Sequence, residues 1–359
     1  MLVDLANVFW ALVCLLLITV IVFSAVLYAT TSRYPDIIRY EDELYFKSGD
    51  NLLVKKLFPK LTAESTVSLS VIVPAFDEET RLPPMLDECT AYLEHRRNQD
   101  HDFTYEVIVV DDGSRDRTSQ VALEYTARLG DDRFRVLTLA KNRGKGGAVR
   151  LGMLSARGKL LLFADADGAT KFADYEKLEH VMTASRCKNA YSVVIGSRAH
   201  LERESVAERT LFRTFLMYGF HFMVMLFAVR GVRDTQCGFK LFTREAAHVI
   251  FKSIHVERWA FDVEMLFIAQ KLNFSISEVS VRWTEIDGSK VTPFWSWLEM
   301  GRDLVLIWYR YLIGAWAIRP GCVVQAASRE KSASPASPAT TQRTSPAETA
   351  NRSESRKSR

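Results

Sequence analysis

Two carboxylates lie two residues apart in Asp165-Ala166-Asp167-Gly168, directly after the apolar run Leu160–Ala164. At the end of a strand such a pair can converge on one divalent cation. A hard cation takes oxygen ligands and usually binds together with phosphates rather than in an all-protein cage. Two more acidic turns follow apolar runs. Leu69–Val73 leads into Pro74-Ala75-Phe76-Asp77-Glu78-Glu79, and Glu106–Val110 leads into Asp111-Asp112-Gly113-Ser114-Arg115-Asp116. Carboxylates there can hold a base or a ribose by hydrogen bonding, or can simply sit at a helix N-terminus, which favours negative charge. Gly113 permits a tight turn, and Ser114 or Asp116 can cap the next helix. Adjacent acids at a buried strand end are costly without a partner, which favours a ligand at Asp111-Asp112.

Cationic residues complement these acids. Lys141-Asn142-Arg143-Gly144-Lys145-Gly146-Gly147 combines glycines, which let backbone approach a ligand closely, with the start of a helix, which favours anions. The loop matches neither GxxxxGK[ST] nor GxGxxG, so a phosphate loop of the NTPase kind and a dinucleotide fingerprint are excluded. Arg198 in Gly196-Ser197-Arg198 and Lys290 in Asp287-Gly288-Ser289-Lys290 are candidate phosphate ligands. Gln236-Cys237-Gly238-Phe239-Lys240 follows a polar break, and Trp259-Ala260-Phe261-Asp262-Val263-Glu264 opens a helix.

These motifs need elements to position them. Apolar runs at Leu69–Val73, Glu106–Val110, Arg135–Leu139, Leu160–Ala164 and Ser192–Gly196 alternate with amphipathic stretches near 83–97, 117–129, 147–156 and 172–184. The alternation predicts an α/β fold, a mostly parallel sheet with helices on both faces. In such sheets ligands bind beyond the carboxyl ends of the strands, where most of the polar motifs fall.

Around that core, residues 5–29 are apolar apart from Asn7, Thr19 and Ser24, long enough as a helix to cross a hydrocarbon core of roughly 30 Å. The run is too long for the core of a signal peptide, and no Lys or Arg precedes it, so it reads as an uncleaved anchor over 1–33. Arg33, Arg39, Lys47, Lys55, Lys56 and Lys60 follow it, which places the rest of the chain in the cytosol. A mixed polar linker occupies 34–68 and a catalytic domain 69–320. Two apolar segments within that domain, about 205–229 and 293–318, carry internal charges and read as membrane-interface helices or as buried core helices. Residues 328–359 are mostly Ser, Thr, Pro, Ala and Arg and cannot order themselves. They hold seven Lys/Arg against three Glu, so the net charge of +4 belongs to the tail, and the body offers no basic footprint for nucleic acid. Five cysteines without a C-x-x-C pair argue against a disulfide framework or a zinc site and suit a reducing compartment.

In this order and spacing, Pro74-Ala75-Phe76-Asp77-Glu78, Val109-Val110-Asp111-Asp112-Gly113-Ser114, Asn142-Arg143-Gly144-Lys145-Gly146-Gly147-Ala148 and Ala164-Asp165-Ala166-Asp167-Gly168-Ala169 resemble the family 2 glycosyltransferases of GT-A fold. The resemblance spans about 5–318. It includes the anchor, Gln236–Lys240 and Phe261-Asp262-Val263-Glu264, and reaches the branch that glycosylates lipid phosphates. It implies transfer of glucose from UDP-glucose to dolichyl phosphate at the endoplasmic reticulum membrane, inverting and dependent on Mg²⁺ or Mn²⁺, to supply protein N-glycosylation. Transfer of mannose from GDP-mannose is the alternative within the branch, and a non-catalytic membrane scaffold the alternative outside it. A processive polysaccharide synthase is disfavoured, because His255-Val256-Glu257-Arg258-Trp259 lacks the Gln of a Gln-x-x-Arg-Trp motif.

The resemblance also implies roles. Pro74, Ala75, Asp77, Glu78 and Lys145 line the nucleotide-sugar pocket, Asp112 contacts the base and Asp165 the ribose. Asp167, with Asp165, ligates the metal. Arg198 and Lys290 approach the donor or acceptor phosphate, and Arg198, Gln236, Lys240 and Lys290 together make the acceptor-phosphate side. Asp167, Asp262 and Glu264 are the candidate catalytic carboxylates, Asp167 foremost, because an ionised phosphate acceptor dispenses with a general base. The 328–359 tail departs from the family pattern.

Overall fold

A computed structural model describes residues 2–200, 231–286 and 293–319. The expected segment 205–229, Lys290 and the 328–359 tail lie outside the described residues. Helix α1 (Leu2–Thr30) is followed by a short hairpin of β1 (Tyr45–Lys47) and β2 (Lys55–Leu57). The chain then alternates strand and helix: β3 (Val67–Ala75), α2 (Leu82–Gln99), β4 (Tyr105–Asp111), α3 (Thr118–Leu129), β5 (Phe134–Thr138), α4 (Lys145–Leu154), β6 (Gly158–Ala164), α5 (Tyr175–Arg186) and β7 (Ser192–Ser197). Beyond lie β8 (Phe239–Thr243), α6 (Arg244–Ser253), α7 (Phe261–Lys271), β9 (Ser275–Ser280) and α8 (Pro293–Leu312).

β3 to β9 form one seven-stranded sheet in the order β5-β4-β3-β6-β8-β7-β9. Every pairing is parallel except those of β8, which is antiparallel to β6 and to β7. The parallel strands are buried on both faces and therefore read as continuous apolar runs. Side chains alternate across the pleat: Leu69, Val71 and Val73 join the core beneath α2, α3 and α5, whereas Ile72 joins the core beneath α4, α6 and α7.

The stretch read as a polar linker is fastened to the domain. Phe46, Phe58 and Leu61 are buried in the core, and Glu43 is fully buried. Ahead of them, the Arg33 carbonyl accepts the Ala317 N–H at 2.9 Å, Arg143 donates to the Ile38 carbonyl, and Arg39 donates to the Leu151 carbonyl and Ser155 Oγ. Charges scattered along a segment hide such packing, because its few apolar residues carry no period.

Helix α1 is the one described helix long and apolar enough to cross a membrane, over Leu5–Thr30. Its last turns touch α8: Phe23 stacks on Tyr309, and Ser24 Oγ meets the Tyr309 hydroxyl. α8 presents two faces. Leu304, Ile307 and Tyr311, three and four residues apart, are buried in the core, while Val305 and Leu312 are exposed.

Candidate functional site

β3 and β4 end side by side, with Ala75 opposite Asp111, and their turns are cross-bonded. The Asp77 N–H donates to Ser114 Oγ at 2.9 Å, and Asp77 Oδ1 accepts the Arg115 N–H at 2.8 Å. The Glu78 and Glu79 N–H groups donate to Thr118 Oγ1 and Asp116 Oδ2. Asp77 sits at φ +50°, a conformation uncommon outside glycine that marks a functional turn when its surroundings hold it. Pro74 precedes this turn inside β3, and the Ala75 carbonyl accepts the Asp112 N–H. Glu78 is clasped by Arg81 through two bonds of 2.7 and 2.6 Å.

Asp112 is buried and locks the glycine loop. Its Oδ1 accepts the Arg143 N–H at 2.7 Å and its Oδ2 the Gly144 N–H at 2.8 Å. Burial pushes its carboxyl up to about 6, overcoming the pull of those two amides. Between the ordinary carboxylate range and about 6 the folded protein therefore holds the extra proton, so stability falls as pH rises through that window. We expect the melting temperature to fall as pH rises through about 6, and Asp112→Asn to remove that dependence; melting curves at stepped pH check both.

The glycines of this loop serve packing as well as ligand approach. The Gly147 N–H donates to the Glu257 carbonyl at 2.9 Å, and a Cβ on Gly146 would lie 2.6 Å from Phe261 Cβ. Close contact with the 257–261 segment brings Trp259, which is 40% exposed, to 5.9 Å from Lys145 Nζ.

Lys145 opens α4 and reaches the end of β6, where its Nζ pairs with Asp165 Oδ1 at 2.6 Å. Burial acts against its charge, but Asp165, Asp262 and Asp167 outweigh it and the ammonium is raised above its usual value. Asp165 is fixed from the other side by Gly238, whose carbonyl accepts the Asp165 N–H; a Cβ there would lie 1.8 Å from Asp165 Oδ2. Asp167 is half-buried, and its Oδ1 accepts the Ala169 N–H. Burial, and then the charge of Asp165, push its carboxyl above the ordinary range. Two carboxylates forced together in this way are what a divalent cation relieves. No group of three or more His, Cys, Asp or Glu able to hold a metal exists among the described residues. A cation here would complete its shell with water and with substrate oxygens, which fits ions shared with phosphates.

Three residues expected at the chemistry lie beneath it. Lys240 is fully buried, with its Nζ bonded to Asp262 and to the Cys237 carbonyl. Asp262 is buried against that ammonium, and its charge also bears on Lys145. Glu264 is fully buried and accepts the His255 and Val256 N–H groups, His255 Nδ1 and the Tyr311 hydroxyl, which leaves it nothing for a substrate. The carboxylates of Phe261-Asp262-Val263-Glu264 point inward because the first turn of α7 is wholly buried. Gln236 donates its N–H to Asp234.

Arg198, at the end of β7, is clasped by a residue the sequence reading did not single out. Asp234 Oδ2 accepts the Arg198 N–H at 2.9 Å and Nε at 2.7 Å, and Oδ1 accepts Nη2 at 2.9 Å. Trp283 lies under the guanidinium, 5.4 Å from it. Asp234 is separated from Arg198 by a long stretch of chain, so no local signal pairs them.

Comparison with known proteins adds to this geometry. The model of glycosyl transferase family 2 matches residues 70–251. The dolichyl-phosphate beta-glucosyltransferase of Drosophila melanogaster is 58% identical over 312 residues, covering 86% of this chain and 95% of that protein. The protein of the same name from Homo sapiens is 55% identical, covering 83% and 92%. That of Saccharomyces cerevisiae is 39% identical, covering 82% and 91%. Among solved structures, glucosyl-3-phosphoglycerate synthase from Mycobacterium tuberculosis in complex with UDP aligns at a TM-score of 0.46 and 17% identity, covering 69% of this chain and 81% of that one. That likeness is too distant to bear on the site.

Proposed function

The chain belongs to glycosyltransferase family 2 and, within it, to the dolichyl-phosphate beta-glucosyltransferases; from that premise we propose that it moves glucose from UDP-glucose to dolichyl phosphate at the carboxyl ends of β3, β4 and β6. The observation that carries the assignment to this place is the Lys145–Asp165 pair beside Asp167, whose carboxyl is raised by burial and by Asp165. Cation, carboxylates and glycine loop meet where a nucleoside diphosphate needs neutralising.

The nucleotide lies over the turns after β3 and β4, with Pro74, Ala75, Asp77, Glu78 and Asp112 along it. Asp165 and Asp167 would hold a divalent cation, which when bound would supply charge neutralisation to the leaving diphosphate. Lys145 adds a fixed positive charge on the same side. An acceptor phosphate oxygen attacks the anomeric carbon, the bond from that carbon to the diphosphate oxygen breaks, and UDP leaves as the configuration inverts from α to β. No general base is required, since a phosphate monoester with a second pKa of about 6 is already largely ionised at neutral pH. This agrees with the inward burial of Asp262 and Glu264.

Residues 1–33 anchor the enzyme in the endoplasmic reticulum membrane through α1, with domain 69–320 in the cytosol. The basic residues that follow α1 support this orientation. The packing of Tyr309 on Phe23 and Ser24 supports placing α8 at the membrane interface, where its outer residues Val305 and Leu312 meet lipid. The product is a lipid-linked glucose donor for protein N-glycosylation.

Donor competition tests the reading. Membranes containing the protein receive dolichyl phosphate, Mg²⁺ and labelled UDP-glucose or GDP-mannose. Glycolipid labelled from UDP-glucose is the expected result. Labelling from GDP-mannose alone would reassign the sugar, and labelling from neither would remove the proposed substrates.

A further inference from the structure

Arg198 lies on the far side of the carboxylate pair from the nucleotide turns. β7 is separated from β6 by the antiparallel β8, so Arg198 stands about two strand spacings, roughly 10 Å, from the β6 end. Asp112 and the glycine loop occupy the opposite direction along the sheet, beyond β3. In-line displacement requires attacking and leaving oxygens on opposite sides of the carbon, so a phosphate met by Arg198 is the attacking one.

The guanidinium is held on two sides. One carboxylate, Asp234, takes three bonds from Arg198, including the backbone N–H. Asp234 is in turn fixed, because Glu278 on β9 accepts both the Arg233 and Asp234 N–H groups, at 3.1 and 2.9 Å. On the other side, Trp283 belongs to a segment stitched to the Asp167 turn. It bridges to Thr170, the Thr284 N–H donates to the Ala169 carbonyl, and the Lys171 N–H donates to the Arg282 carbonyl. The orientation of Arg198 is therefore set by β9 and the metal turn together. Nη1 is left without a partner among the described residues. The Asp234 charge cancels that of Arg198, so the pair has little long-range pull. What it offers is direction: a pre-aimed pair of N–H donors of the kind that suits a phosphate.

We propose that Asp234 and Trp283 are positioning residues that aim Arg198 Nη1 at the phosphate of the lipid acceptor. This rests on the glycosyl-transfer reading above. The test uses the full chain in detergent and two readouts: KM for each substrate in the transfer assay, and direct binding of citronellyl phosphate, a short isoprenyl phosphate, by titration calorimetry. Trp283 is only partly buried, so Trp283→Leu tests the aim with little risk to folding. Trp283→Leu should raise KM for dolichyl phosphate and weaken citronellyl phosphate about tenfold, the loss of one well-placed hydrogen bond, with KM for UDP-glucose unchanged. Trp283→Phe, which keeps a flat ring, should restore most of it. Asp234→Asn should act in the same direction, and Arg198→Lys should add little in that background. Unchanged acceptor binding in Trp283→Leu, equal effects of Leu and Phe, or a parallel rise in donor KM would each overturn the proposal. Because citronellyl phosphate binding needs no donor, it decides the matter even if wild-type protein transfers no glucose, the outcome that would sink the functional reading instead.

Discussion

Asp167→Ala should abolish glycolipid formation, lowering turnover by about 10³-fold or more, without lowering thermal stability. The two halves of this expectation come from one feature. Burial and the neighbouring charge of Asp165 raise the Asp167 carboxyl above its ordinary range. Its ionised form is therefore held at a cost in the ligand-free fold, and removing it relieves repulsion. A residue that is costly to the fold and retained at the site is the pattern of a functional group rather than a structural one. Turnover of labelled UDP-glucose and a melting curve on the same preparation check the pair. Substantial residual turnover would contradict the role given to Asp167, and a collapse of the melting temperature would make it structural.

Asp262→Ala should behave in the opposite way. It leaves the Lys240 ammonium, fully buried, with the Cys237 carbonyl and the face of Phe163 as its partners among the described residues and no counter-charge bonded to it. Removing one member of a buried pair costs about 3–5 kcal/mol, mostly from the charge left behind. Replacing both members with apolar side chains, Lys240→Met with Asp262→Leu, should recover most of that stability, because neither charge is then stranded. Protein that remains folded in the double variant should still transfer glucose, since Asp262 touches no substrate in the mechanism. Denaturant titration of the single and double variants separates the readings. A stable Asp262→Ala that is wholly inactive would return Asp262 to the catalytic groups.

The two variants mark how far the residues could be read without the fold. Strands β3 to β7 were legible because parallel strands buried on both faces read as unbroken apolar runs, and each ended in the polar turn that the site requires. β8 and β9 were not assigned. Lys240 interrupts the first, and Ser275-Ile276-Ser277-Glu278-Val279-Ser280 offers only two apolar residues. A buried lysine looks like a surface lysine until its partner, twenty-two residues away, is seen beside it. A motif likewise records which residues travel together but not how deep they lie, and the fold buries Lys240, Asp262 and Glu264.

By itself, the sequence determined the apolar helix at the start, the alternating strands and helices, and the carboxylates and glycines at the strand ends, because these follow from local periodicity and turn chemistry. Only the tertiary structure decided which charges are spent on one another. Asp112 is committed to the glycine loop, Lys240 to Asp262, Glu264 to the 255–256 turn and Arg198 to Asp234. All but the Glu264 pairing, which spans eight or nine residues, join segments distant along the chain, and the cost of burying an unpaired charge, which selects them, exists only once the chain has closed around it.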